Sequence, residues 1–218
     1  MGEPMVQSGR TTVSNTSHVC VQGNAEFNWY DNDFPGFSDH SSWVYTYAQT
    51  PGCGPELVVP VGWIASKVRL FKYAAPNWAL CQESDWAYGG GGDTHDGDII
   101  FEQAAVASKM WQGAPPPCGP GWYGTMGSCF VYTGSAWEGN SLWSGSQNVA
   151  AHALTADSVV QAPPPPWVQE DNTVNTDAAT IIVPVVGLEG HVMTVGADGP
   201  PRMVPIWIGE VPPTPVGG

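Results

Sequence analysis

Asp93-Thr94-His95-Asp96-Gly97-Asp98 gathers three carboxylates and an imidazole into six residues, directly after the run Gly89–Gly92. Oxygen-rich loops of this kind hold Ca²⁺ when carboxylates and carbonyls converge. Asp93, Asp96 and Asp98 are therefore the candidate metal ligands, and a solvated acidic turn is the plainer reading of the same residues. A second acidic loop, Asp31-Asn32-Asp33-Phe34-Pro35-Gly36, starts like an EF-hand loop with glycine sixth. It then departs from that pattern, with Pro35 fifth and Ser42 twelfth.

Other catalytic patterns are missing. The glycine run lacks the Lys-Ser/Thr that would hold a phosphate and Mg²⁺, so it reads as a loop. Neither G-x-S-x-G nor H-E-x-x-H occurs. His18, His40, His95, His152 and His191 show no ligand spacing. The expectation is a protein that is not an enzyme, with no cofactor beyond Ca²⁺ at the acidic loop.

The aromatic residues are the other candidate. Trp63, Trp78, Trp122 and Trp137, with Tyr73 and Tyr132, could stack on sugar rings, form a subunit interface, or fill a core. Their spacing is repeated. Gly62-Trp63, Phe71, Tyr73 and Trp78 recur 59 residues later as Gly121-Trp122, Phe130, Tyr132 and Trp137. Each copy is preceded by Cys-Gly-Pro, at Cys53 and Cys118, and followed by another tryptophan, Trp86 or Trp143. The connections Ala74–Asn77 and Thr133–Ala136 have the length a β-hairpin needs. Two related hairpin units, 62–86 and 121–143, follow. Repeated positions suggest a framework, which favours core packing for at least half of these rings.

The elements that must position them are strands. Trp43, Tyr45 and Tyr47 share one face at period two. In Lys67–Tyr73, Val68, Leu70 and Lys72 oppose Lys67, Arg69, Phe71 and Tyr73, a strand with two differently used faces. Further runs are His18–Val21, Glu26–Tyr30 and Leu57–Val61. Asp98–Gln112 is the one helix candidate, with Asp98 as cap; a strand through Ile99–Phe101 fits equally. Charged residues are 12% of the chain, and Gly (27), Pro (21) and Trp (11) are abundant. That is about half the usual charged share, too little for helices with solvated faces. Short strands joined by Gly/Pro turns fit better, so the predicted fold is all-β, a β-sandwich-like body.

A net charge of −14 repels phosphate backbones and anionic membranes, which excludes nucleic acid as the main partner. No apolar run approaches a membrane span, and the first residues lack the basic and apolar regions of a signal peptide. Cys20, Cys53, Cys81, Cys118 and Cys129 form no CxxC pair. Disulfides suit an extracellular setting, buried thiols suit a reducing one, and the connectivity is open.

The organisation reads as a polar extended arm (1–17), a Gly/Trp-rich domain (18–156), a stiff polyproline linker (157–167) and a C-terminal β-hairpin module (168–218). About 50 residues with one hairpin are marginal alone, so this tail is expected to dock on the body or on another subunit through Trp167, Met203, Ile206 and Trp207.

The stretches Val68–Tyr73…Trp78–Cys81 and Cys118–Thr125…Trp137…Trp143-Ser-Gly resemble Gly/Trp-rich β-proteins among actinobacterial secreted proteins. The tail, Val192–Gly196…Gly199–Gly209, resembles the closing hairpins of tail and other virion proteins from phages of actinobacteria. Neither resemblance brings a catalytic residue. Together they imply a virion structural protein, a tail, decoration or fibre subunit found on the virion or outside the cell. Its partners would be other virion proteins, its own copies or a host-surface glycan, without membrane insertion. A secreted carbohydrate- or protein-binding module is the alternative expectation.

Overall fold

The computed structural model describes residues 5–9, 11–16, 19–30, 37–48, 53–54, 59–89, 94–96, 99–102, 105–112, 118–149, 161–175, 181–185, 202–206 and 211–213, with backbone alone at 5–6, 29–30, 37–48, 94–112, 181–185 and 202–206. Among these residues every regular element is a strand, and two sheets face one another. The first sheet holds β1 (Met5–Gln7), β2 (Thr11–Asn15), β3 (Val19–Tyr30), β4 (Phe37–Ala48), β8 (Thr94–Asp96), β9 (Ile99–Glu102) and β10 (Ala105–Gln112), in the order β1-β3-β4-β10-β9-β8 with β2 also on β3. The second holds β5 (Ile64–Ala74), β6 (Asn77–Glu83), β7 (Ala87–Gly89), β11 (Gly121–Tyr132), β12 (Trp137–Trp143), β13 (Gln147–Val149), β14 (Ile181–Val185) and β15 (Arg202–Ile206). Its order is β12-β11-β5-β6-β14-β15.

The extended arm read at 1–17 supplies β1 and β2, which pair antiparallel with β3. The helix candidate resolves to strands: Ala105–Gln112 pairs along its whole length with Ser38–Tyr45. Sheet pairing overrides the local propensity of Ala and Gln there. Val19–Val21 and Glu26–Tyr30 belong to one strand, β3, which runs through Gly23; His18 lies outside the described residues. A Cβ at Gly23 would stand 2.5 Å from Cys129 Sγ and 3.0 Å from Leu142 Cδ1. This glycine marks close approach of the two sheets rather than a break.

Period-two alternation places the core. Val19, Val21, Ala25 and Phe27 of β3 face Ile64, Val68 and Leu70 of β5 and Tyr123, Cys129 and Val131 of β11. Phe27 stacks on Tyr123 at 5.9 Å. Burial pushes the Tyr123 phenol well above its ordinary pKa, and its hydroxyl donates to the Gly119 carbonyl.

The sequence repeat becomes an internal two-fold. β5 and β11 pair antiparallel with Val68 opposite Gly127, and 127 − 68 is 59, the repeat spacing. A residue therefore faces its own equivalent, so a pseudo-two-fold axis passes between them. The hairpins agree: Tyr73 pairs with Trp78 and Tyr132 with Trp137. The first connection is tighter than expected, since β5 reaches Ala74 and β6 restarts at Asn77 around a cis Ala75-Pro76 bond. Each outer strand then breaks at a serine. Val68 N–H donates to Ser84 Oγ at 3.0 Å while Ser84 N–H donates to Val68 O. Thr125 and Ser144 repeat this exchange at 2.9 Å.

The copies differ at one bulge. Leu70 pairs with Gln82 and Phe71 with Leu80, leaving Cys81 as the extra residue. Bulges re-aim side chains, and Cys81 bonds Cys118. At the matching position in β12, Asn140 pairs regularly with Cys129. The other disulfide joins Cys20 to Cys53, and the Cys129 thiol is buried in the core.

Gly139 sits in β12 at φ 154°, where a Cβ would fall 2.0 Å from the Cys129 carbonyl oxygen. Both atoms belong to the paired ladder, so neither can yield cheaply. Gly139→Ala is expected to lower the urea-unfolding free energy by about 1–3 kcal/mol; an unchanged midpoint would refute the strain.

Candidate functional site

The outward face of the second sheet carries the repeated aromatics as two clusters related by the internal two-fold. In the first, Tyr73 packs on Trp78 at 5.4 Å and 52°, and Trp143 meets Phe71 at 6.0 Å. In the second, Tyr132 packs on Trp137 at 5.3 Å and 54°, and Trp86 meets Phe130 at 6.0 Å. Each repeat thus sends its closing tryptophan onto the phenylalanine of the other repeat. That exchange locks the halves together, because edge-to-face contacts hold a preferred geometry as well as burying area. Gly124 makes room for it: a Cβ there would lie 2.2 Å from Trp143.

The clusters differ in what covers them. Over the first lies the proline-rich strap, residues 161–175, with Ala162, Trp167 and Val174 buried against Phe71, Trp78, Met126 and Trp143. Trp78 Nε1 donates to Pro163 O at 3.0 Å. Trp143 N–H donates to Asn172 O at 2.8 Å and Val174 N–H to Ser141 O at 2.9 Å, which ties the strap to the edge of β12. Asp171 turns the strap by accepting from Thr173 Oγ1 and N–H, and the hydroxyl bond foremost holds its carboxyl below the usual carboxylate range. The linker assigned to 157–167 is thus part of this strap where it is described, and Trp167, at 8% exposure, is a core residue of the chain's own sheet.

The second cluster makes its described ring contacts within the repeats. Trp63 meets Tyr132 edge-on at 5.3 Å, Tyr88 approaches Trp137, and the Lys67 ammonium lies 5.7 Å from the Trp86 ring. Lys67 and Arg69 share Glu83 at 3.2 and 3.1 Å. Trp63, Trp86, Tyr88, Tyr132 and Trp137 are all half-buried. Trp137 Nε1, the image of the Trp78 donor, is shielded from solvent yet has no acceptor among the described residues, and the same holds for Trp86 Nε1.

Of the six sequence-predicted aromatics, Trp78 is in the core of the first cluster with Tyr73 and Trp122 packed against it. Trp137 and Tyr132 form the second, and Trp63, which meets Tyr132 edge-on, also packs against the core between the sheets. Met203 and Ile206 lie in β15, which pairs with β14, and β14 joins β6 in parallel through Val185 opposite Leu80. Trp207 lies outside the described residues. Of the acidic loop, Asp96 ends β8 while Asp93 and Asp98 are outside the described residues; the Asp31–Asp33 loop is outside them too. Among the described residues no three Asp, Glu, His or Cys converge to hold a metal. The sequence did not expose Lys72, whose ammonium donates to the Cys118 carbonyl and whose pKa burial lowers. Only the fold brings these two together.

No protein-family model, curated protein or solved structure matches this chain. Fold and site define an all-β protein with a two-fold aromatic face.

Proposed function

We propose that this chain is a non-enzymatic structural protein of an extracellular particle, read as a tail, decoration or fibre subunit of a virion. The observation that carries this is how the aromatics are spent. The repeated rings cross-brace two hairpins, and a proline-rich strap and a hairpin clamp the same sheet. Among the described residues the exposed large apolar side chains are Val61 and Val211, neither of them aromatic. Such a body resists deformation, which suits a particle component. Two disulfides support an oxidising setting, and the acidic charge keeps the surface away from packaged nucleic acid. Copies of this chain or other virion proteins are the partners.

The intact chain is expected to form a defined oligomer by light scattering, or to co-purify with particles. A monomer at every concentration that also labels no particle would defeat this reading. The half-exposed rings of the second cluster favour one other reading, a secreted carbohydrate- or protein-binding module. Quenching of tryptophan fluorescence by an added oligosaccharide is the result that would prefer it.

A further inference from the structure

We propose that the second aromatic cluster, together with the outer edge of β12, is a docking surface for a proline-rich, tryptophan-bearing segment of a partner chain.

The internal two-fold names the occupant. The site's image is the first cluster, and that one is occupied within the chain by such a segment: Ala162, Trp167 and Val174 lie on Phe71, Trp78 and Trp143, with the Pro163 carbonyl on the Trp78 indole. The receiving surfaces share their ring pairs, since both Tyr–Trp pairs and both Trp–Phe pairs keep their distances to within 0.1 Å, while the further Trp78–Trp143 contact at 5.0 Å belongs to the first cluster. The hydrogen-bonding position matches as well. Trp78 Nε1 has Pro163 O as its acceptor, while its image, Trp137 Nε1, has none. A buried donor without an acceptor is costly, and a carbonyl placed as Pro163 O is placed would relieve that cost.

The backbone edges carry the same asymmetry. β14 adds to β6 at Leu80, whose image, 59 residues on, is Gly139 in β12. β12 ends the second sheet, and among the described residues its outward pairing is the bridge of Leu142 to Thr173. Among the described residues the 137–140 stretch is therefore an edge available to β-addition. Proline-rich chain suits the ring surface for a general reason: its backbone is already restricted, so it loses little entropy on docking.

The proposal holds whichever particle or surface the chain serves. The probe is a synthetic peptide of this chain's own residues 161–175, titrated into the intact, ¹⁵N-tryptophan-labelled protein with its disulfides formed. The expected result is saturable one-to-one binding in which the Trp137 indole N–H resonance moves downfield while that of Trp78 stays in place. Trp137→Leu and, separately, Trp86→Leu are each expected to weaken binding at least about tenfold, with near-ultraviolet dichroism confirming that each variant is folded. Absence of saturation by about 1 mM peptide overturns the proposal. So does movement of the Trp78 resonance instead, because that reports exchange with the chain's own strap.

Discussion

Breaking both disulfides is expected to cost the native state about 8 kcal/mol, as much as the whole stability of many domains. The bonds close loops of 33 and 37 residues, and loop-closure entropy of the unfolded chain assigns roughly 4 kcal/mol to each. Domains are commonly stable by about 5–15 kcal/mol. The two bonds also act at different places. Cys20–Cys53 ties β3 of the first sheet to the segment that leads into β5. Cys81–Cys118 ties the bulge of β6 to the run-up of β11, and so joins the two repeats outside their shared ladder. Urea unfolding of Cys20→Ala/Cys53→Ala, of Cys81→Ala/Cys118→Ala and of the fourfold variant measures each contribution. The fourfold variant should lack a cooperative transition. Thiol titration without reductant checks the premise: the native chain should show no fast-reacting thiol, and the unfolded chain one, Cys129. Five reactive thiols on unfolding would refute the pairing.

How much of this was legible in the residues depends on the range of the interaction. The alternation in Lys67–Tyr73 gave both faces of β5, because period two is a local property of an extended chain. Val68 and Leu70 enter the core between the sheets and Phe71 and Tyr73 the outer cluster. The 59-residue repeat likewise announced two hairpins, and both are present. What it could not announce is that the repeats pair through β5 and β11 about a common axis, since register between distant strands is set by packing. The disulfide partners were hidden for a related reason: Cys81 is aimed by a bulge that exists in one copy only. In Ala105–Gln112 the local preference for helix lost to the non-local ladder with β4. The prolines at 163–166 read as a stiff polyproline segment, whereas the chain turns at Pro165–Val168, and composition says nothing of where such a segment lands. It lands on the chain's own sheet because Trp167 finds Phe71 there, at 5.6 Å.

The two-fold supplies its own control for the aromatic face. Trp78 and Trp137 occupy equivalent positions, stack on equivalent tyrosines and sit opposite them in equivalent hairpin registers, so intrinsic propensity and strand position cancel between them. They differ in cover. Trp78 is 2% exposed beneath the strap and donates to Pro163 O, whereas Trp137 is half-buried and its donor lacks an acceptor. Trp78→Ala is expected to cost about 3–5 kcal/mol, the range for emptying a fully packed aromatic site. Trp137→Ala should cost about 1–2 kcal/mol, because less area returns to water and no hydrogen bond is lost. Trp78→Phe separates the terms further: most of the ring stays, and the loss of a donor to a carbonyl accounts for about 1 kcal/mol. Denaturant midpoints of the three variants measure the difference. Equal losses for Trp78→Ala and Trp137→Ala would mean that the strap contributes nothing to the fold. The two clusters would then be equivalent in energy as well as in geometry.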